Sequence, residues 1–539
     1  MNGKDEVAVL EEESLDRLRL YGQEEVVPYG KVLFHQGDSM LDFFVVLEGR
    51  LEIFEKRQDG LSNIVQSLTK GYFTGELDLL NARSSLLSCR AACRTRILRI
   101  CRDRLRVLFR TEGDLAERII VECIGRRTAL LEQGSCGAIV VGTARSADTL
   151  RVRQFFIRTG NPHRFMDAES NENANSLLQL LECTDAELPA VFLPSQRLLR
   201  NPPNRVLADL LGLAGGVLHS RECDLLVIGA GPAGLAAAVY AASEGIKTIV
   251  VECHAVGGQA GTSSKIENYL GFATGISGQE LAANAEIQAQ RFGAELLISQ
   301  AALNLSADGN NHQVGLGDGS SIKAKAVVIA TGARYRQLSL PTIGDVGNSV
   351  AIHYAATGLE AARCVDEDVL VIGGGNSAGQ AALFLARLAR RVHLIVRRES
   401  LAETMSDYLL QRIVSSNRIT LHFEASISSL EKGECGSVAA ICTKREVSAR
   451  CTVRNIFVMI GADPNTEWLR GVLALDKAGF IVTGDTLRGA RSSFETSSPG
   501  VFAIGDVRSG SVKRVASATG EGAAVIADIH RFLIDCSVP

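Results

Sequence analysis

No apolar run in this 539-residue chain reaches the roughly 18 positions that a membrane-spanning helix needs. Ala233 to Ala242 is one of the longest such runs. Charge of one sign is also missing: 57 Lys+Arg stand against 61 Asp+Glu, for a net charge of −4. The chain as a whole therefore carries no field directed at nucleic acid or an anionic membrane. Thirteen Cys are scattered without any Cys-x-x-Cys spacing. That excludes a vicinal dithiol, and an odd, irregular set fits reduced thiols in a reducing compartment better than a disulfide framework. No metal site is expected. The opening MNGKDEVAVLEEESLDRL lacks the basic-then-apolar layout of a signal peptide, so the expectation is a cytoplasmic protein with no membrane span. Global disorder is excluded, because 46% of residues are hydrophobic and the net charge is small.

What the chain has is length and glycine. The length predicts about three to five domains, and 52 Gly divide it into three blocks. Residues 1–133 show short β-branched and aromatic runs from Pro28 to Ile100, with strand, turn, strand around Glu48-Gly49, then a helical period over Leu105 to Leu131. An antiparallel barrel with flanking helices is predicted. Residues 137–213 alternate strands (Ala138 to Gly142, His163 to Met166, Leu188 to Leu193) with helices (Asp148 to Arg158, Ser176 to Leu181, Asn204 to Leu211), a small α/β unit. The third block, from Cys223, holds two strand–glycine–helix openings 144 positions apart.

In the first opening, Gly229, Gly231 and Gly234 form GxGxxG directly after the strand Leu225 to Ile228. The first Gly permits the tight turn, the second lets the backbone approach a pyrophosphate, and the third lets the helix pack closely. Glu252 ends the next strand, where a carboxylate bonds a ribose hydroxyl. In the second opening Gly373, Gly375 and Ala378 fill the same roles, beside Asn376 and Ser377. Its following strand ends in Arg397-Arg398 rather than an acid, which suits a ribose 2′-phosphate and favours NADPH over NADH.

These motifs, with GGQAGTSSKIENYLGF (Gly257 to Phe272), ATGA (Ala330 to Ala333), HLIVRR (His393 to Arg398) and FAIGDVRSGSVKRVASATGEG (Phe502 to Gly522), stand in the order found in the FAD- and NADPH-dependent thioredoxin reductases, which the third block resembles along nearly its whole length. The resemblance implies an α/β fold with two nested, doubly wound nucleotide-binding domains: an FAD domain at 222–340 and 465–539, interrupted by an NADPH domain at 341–464. It implies that Asp506 meets the FAD ribityl chain and that Gly258, Gln259, Asn268, Gly332, Lys513, Arg514 and Val515 line the flavin or its phosphates. A homodimer is also implied.

In that family a Cys-x-x-Cys followed by Asp precedes the second glycine motif. Here the matching stretch is HYAATGLEAA (His353 to Ala362), so Ala355 and Gly358 stand at the dithiol positions and Leu359 at the acid. None of these can carry a thiolate. Hydride transfer from NADPH to FAD needs no protein thiol, so the expected activity is an NADPH-dependent flavin oxidoreductase passing electrons to an external acceptor: a quinone, a ferredoxin-like protein, dioxygen or a thiol protein. The alternative is a redox or nucleotide sensor that signals through the N-terminal modules. Cys364, just beyond the altered stretch, is expected in the core, and Cys536 is the thiol freest to swing.

The second block is similar to glutaredoxin-like and thioredoxin-like modules, with Pro189 at the family's cis-proline position, yet GTARSAD (Gly142 to Asp148) carries no Cys where the dithiol would stand. A docking or interdomain element, or a plain spacer, is expected. The first block resembles cyclic-nucleotide-binding barrels through PYGKVLFHQGD, FVVLEGRLEI and GYFTGELDLL. Glu76 matches the ribose-binding Glu, but position 85 is Ser where the family places its phosphate-binding Arg, and Arg83 comes two residues early. A protein-contact or effector barrel is therefore favoured over a cyclic-nucleotide binder. The arginines from Arg90 to Arg110 are expected to form a solvated helix face, or to contact an acidic partner, rather than a nucleic-acid site.

Overall fold

The computed structural model describes residues 9–38, 41–56, 62–75, 85–133, 137–144, 146–171, 173–174, 177–178, 183–193, 197–214, 220–307, 311–336, 338, 350–433, 436–443, 446–484, 487 and 492–535. Glu76, Arg83, Cys536 and most of the expected helix Ser176 to Leu181 lie outside these residues.

The N-terminal block consists of helix α1 (Glu12–Arg19), two antiparallel sheets, and helices α2 (Arg102–Thr111) and α3 (Gly113–Gln133). Strands β1 (Gln23–Val27), β7 (Thr95–Ile100) and β3 (Phe43–Glu48) make one sheet. Strands β2 (Val32–Phe34), β6 (Ser88–Ala91), β4 (Leu51–Lys56) and β5 (Ser62–Leu68) make the other. The run around Glu48-Gly49 is strand, turn, strand as expected, but β3 and β4 do not pair with each other. Gly49, at φ +91°, turns the chain from one sheet into the other. The single helix expected over Leu105 to Leu131 is two, because Glu112 leaves the helical region (φ −111°, ψ 72°) just before Gly113. Arg90, Arg96 and Arg99 stand on strands β6 and β7 rather than on a helix face, and pair with Glu52, Glu24 and Asp42.

The small α/β unit has a four-stranded sheet, β11 (Leu198–Arg200), β10 (Ala190–Phe192), β8 (Ala138–Gly142) and β9 (His163–Asp167), with β8 and β9 parallel. Helices α4 (Ala147–Arg158) and α5 (Asn204–Leu210) flank it. Ser146 caps α4 by accepting from the Thr149 N–H. The Leu188–Pro189 peptide is cis.

The C-terminal part contains two further parallel sheets. In the first, β14 (Glu295–Ile298), β13 (Thr248–Glu252), β12 (Ser220–Ile228), β17 (Ser321–Ile329) and β28 (Val501–Ala503) run parallel, extended by antiparallel β16 (His312–Leu316) and β15 (Ala302–Ser306). The second orders β19 (Ala351–His353), β26 (Asn455–Val458), β20 (Asp368–Ile372), β21 (Arg391–Ile395) and β22 (Ile419–His422). Its strands fall in sequence between β17 and β28 of the first sheet.

Unbroken apolar strands follow from cover on both faces. Along β12, Leu225 and Val227 enter one core while Leu226 and Ile228 enter another. Along β20, Val369 and Val371 likewise face a different core from Leu370 and Ile372. Helix α6 (Pro232–Ser243) is rich in Ala, which lets helix α11 (Val515–Asp535) press close: a Cβ on Gly522 would lie 2.4 Å from the Ala233 carbonyl oxygen. The small α/β unit is not a separate bead on this assembly. Val152, Phe155, Phe156, Val191 and Leu207 belong to the same continuous core as Leu225, Ala237 and Val525. The barrel docks on helix α7 (Gly278–Phe292), where Ile287 packs against the barrel core and Arg110 donates to the Phe292 carbonyl at 3.4 Å.

Candidate functional site

Both glycine openings end on a parallel strand and begin a helix, and the local geometry requires glycine. Gly229 has φ +107°, and a Cβ there would lie 2.3 Å from the Ala330 carbonyl oxygen. Gly373 has φ +147°, with the Met459 carbonyl oxygen at the same 2.3 Å. A Cβ on Gly234 would come within 1.9 Å of the Gly229 oxygen, so the turn and the helix pack tightly. Helix α6 starts after Gly231, and helix α9 (Asn376–Leu385) starts after Gly375. Neither has a side-chain cap or an acid in its first turn. The first-turn N–H groups and the positive helix ends are thus left for a ligand.

The two openings face one cavity of about 1600 Å³. It is lined on the first side by Gly229, Gly231, Glu252, Gly258, Gln259, Asn268, Gly332, Asp506, Lys513, Arg514 and Val515. The second side contributes Gly373, Gly375, Asn376, Ser377, Arg397 and Arg398. Gly234 and Ala378 do not line it; both are buried where their helix packs on its sheet. Of the altered stretch, Ala355 lines the cavity and Gly358, at the start of the short helix α8 (Gly358–Ala361), does not.

Glu252 is buried and anchored. Its carboxylate accepts from the Ala230 N–H and the His254 N–H, each at 2.8 Å, which fixes it beside the glycine turn. Gln259 donates to the Ala333 carbonyl. Asp506 is pushed above the usual carboxylate range by burial, with Lys513 opposing the shift, and Lys513 donates to the Asp506 carbonyl at 3.1 Å. Arg398 is held by Glu403 at 2.7 Å, whereas Arg397 is exposed and makes no ion pair among the described residues. Arg397 is thus free to meet an anion.

Several wall residues carry no signal in the sequence. Tyr335, on strand β18 (Ala333–Tyr335), lines the cavity together with Ser377, so the flank of the first site and the start of the second glycine helix face the same space. Burial pushes that phenol up. Glu360 is buried and accepts from the Thr357 N–H at 2.9 Å and from Gln154 at 2.7 Å. Gln154 belongs to helix α4 of the small α/β unit, and Leu150, Arg151 and Arg158 of that helix also line the cavity. The sequence offers no hint of this, since these partners stand up to 206 positions apart.

Thiols take little part. Cys253 is the only Cys at the cavity wall among the described residues; desolvation first, and the Glu252 carboxylate second, push it up to about 12. Cys364 is fully buried in the core behind the second sheet and is likewise pushed up to about 12 by burial. In the barrel, where buried Cys is the expectation for both Cys89 and Cys93, Cys89 is core but Cys93 is exposed.

Comparison with known proteins agrees with this geometry. Residues 223–522 match the family described as pyridine nucleotide-disulphide oxidoreductase, and residues 24–112 match the cyclic nucleotide-binding domain. A thioredoxin reductase of Mycolicibacterium smegmatis is 34% identical over 322 residues, which is 58% of this chain and 97% of that protein. One of Peptoclostridium acidaminophilum is 33% identical over 319 residues, covering 58% and 96%. The crystal structure of Lactococcus lactis thioredoxin reductase in its FR conformation superposes with a TM-score of 0.53 at 28% identity, over 58% of this chain and 99% of that one. This chain belongs to the pyridine nucleotide-disulphide oxidoreductase family, an oxidoreductase of thioredoxin reductase type, a family that uses FAD and NADPH, and carries a cyclic nucleotide-binding domain at its N-terminal end.

Proposed function

We propose that this protein is an NADPH-dependent FAD flavoprotein that reduces an external acceptor without a protein dithiol. FAD is held by the Gly229–Gly234 turn with Glu252, Gly258, Gln259, Asn268, Gly332, Asp506, Lys513, Arg514 and Val515, in a domain formed by 222–340 and 465–539. NADPH would be held by Gly373, Gly375, Asn376 and Ser377, with Arg397 on the 2′-phosphate, Arg398 held beside it by Glu403 and Ala378 packing the helix on its sheet, in an inserted domain at 341–464. The barrel (1–133) and a thioredoxin-like unit (137–213) precede them. The observation that carries this reading is the single cavity onto which both glycine turns and both uncapped helices open.

When bound, FAD supplies the capacity to take a hydride and to release electrons to a second substrate. The chain's own groups do the positioning. The helix ends of α6 and α9 would each hold a diphosphate at the cavity they share. Arg397 selects the phosphorylated nucleotide, and Tyr335 and Ser377 line the cavity between the two halves. Ala355 stands at the cavity wall where the family has a thiol, so this chain would offer no thiol there between a bound flavin and an external acceptor such as a quinone, a ferredoxin-like protein, dioxygen or a partner's disulfide.

Steady-state NADPH oxidation with a quinone, a ferredoxin and a thioredoxin, before and after alkylation with N-ethylmaleimide, tests this. The expected outcome is turnover with at least one acceptor, unchanged by alkylation. Loss of all turnover on alkylation would place an essential thiol in the path and contradict the reading.

A further inference from the structure

The small α/β unit contributes a cation to the first glycine site. Arg158 is the last residue of α4, and its guanidinium crosses to the loop that follows β13. Its Nη2 donates to the Ala255 carbonyl at 3.2 Å and to the Gly258 carbonyl at 3.1 Å. Gly258 in turn lies against Gly231, the second glycine of the turn: a Cβ on Gly258 would stand 3.1 Å from the Gly231 Cα. Arg158 and Gly231 line the same cavity.

The guanidinium is under-compensated where it stands. Both bonds go to neutral carbonyls, and its Nε is buried with no hydrogen-bond partner. The nearby groups that act on its charge are Glu252 and Cys253. Glu252 is already committed to two backbone N–H groups, and Cys253 is held as a neutral thiol. Burial pulls the guanidinium below its ordinary value, with Glu252 opposing. A part-buried cation without a dedicated anion is costly unless a ligand supplies one. The glycine turn beside it offers backbone N–H groups and a helix end to a diphosphate but no fixed cation of its own, and Arg is the side chain best suited to phosphate oxygens.

We propose that Arg158 is a ligand of the FAD diphosphate, so that the small α/β unit is a working part of the flavin site and not an appended spacer. This rests on the reading of the Gly229–Gly234 turn as the FAD site. The shared core through Val152, Phe155 and Phe156 keeps α4 from swinging away, so the charge is held in place. By linkage, FAD binding and the docking of this unit strengthen each other.

The test uses full-length apo-protein, wild type against Arg158→Gln and Arg158→Lys. FAD and ADP affinities are read by flavin fluorescence and competition, and melting temperature is read with and without FAD. Arg158→Gln should weaken both FAD and ADP by about tenfold or more, and Arg158→Lys should recover part of the loss. The FAD-induced rise in melting temperature should shrink in Arg158→Gln whatever happens to the apo-protein baseline. Wild-type affinity for FAD and ADP in Arg158→Gln would overturn the proposal while leaving the FAD site in place, as would an undiminished FAD-induced rise. A wild-type apo-protein that binds neither FAD nor ADP would overturn the FAD-site reading itself, and this proposal with it.

Discussion

Arg397 and Arg398 illustrate how much a single position decides. Both follow strand β21, the strand after the second glycine turn and its helix, yet Glu403 occupies Arg398 and leaves Arg397 free. A charge-assisted contact between Arg397 and the 2′-phosphate is worth about 1.5–3 kcal/mol. Arg397→Ala should therefore raise the NADPH KM roughly 10- to 100-fold and leave the NADH KM nearly unchanged. Equal changes for both nucleotides in steady-state kinetics would contradict the role. The glycines of both turns were readable because their requirement is local: a positive φ and a carbonyl oxygen 2.3 Å from any Cβ belong to the strand–turn–helix motif itself. Arg158 was not readable. Its carbonyl partners lie 97 and 100 positions away, and nothing in the residues around it marks an anion site.

At the scale of elements, strands β21 and β22 bring two histidines together. His393 Nδ1 and His422 Nε2 lie 3.1 Å apart, within hydrogen-bond distance. Burial lowers both from their ordinary value, and for His393 the neighbouring His422 lowers it further. A histidine whose folded pKa is depressed takes up fewer protons folded than unfolded above that value. The stability from this pair is thus complete above the unfolded value of about 6.5 and is lost as pH falls through the folded values. His163 and His353, also lowered by burial, add in the same direction. Melting temperature should fall from pH 7.5 to pH 5, less steeply in His422→Gln; equal slopes would remove the pair from the explanation. Strand and helix identities in the sheets followed from apolar runs bounded by Gly. The break at Glu112 and the separation of β3 from β4 did not, because sheet partnership is set by distant strands such as β7 and β6 rather than by the local alternation.

At the scale of the whole molecule, three blocks that the sequence separates by composition pack on one another, and the second and third share a core and a cavity. The α/β unit merges with the first parallel sheet through Phe155 and Phe156, reaches the second through Gln154 and Glu360, and the barrel rests on α7 at Ile287. The sequence motifs located both glycine turns but not the helix that walls the space between them, because that contact exists only after folding. Whether the assembled cavity passes a hydride from one turn to the other is most directly read by anaerobic stopped-flow absorbance of the FAD-loaded protein mixed with NADPH. The flavin band should bleach within milliseconds to seconds and return on adding an acceptor. An unbleached band with NADPH at saturating concentration would contradict the assignment of the two turns as communicating FAD and NADPH sites.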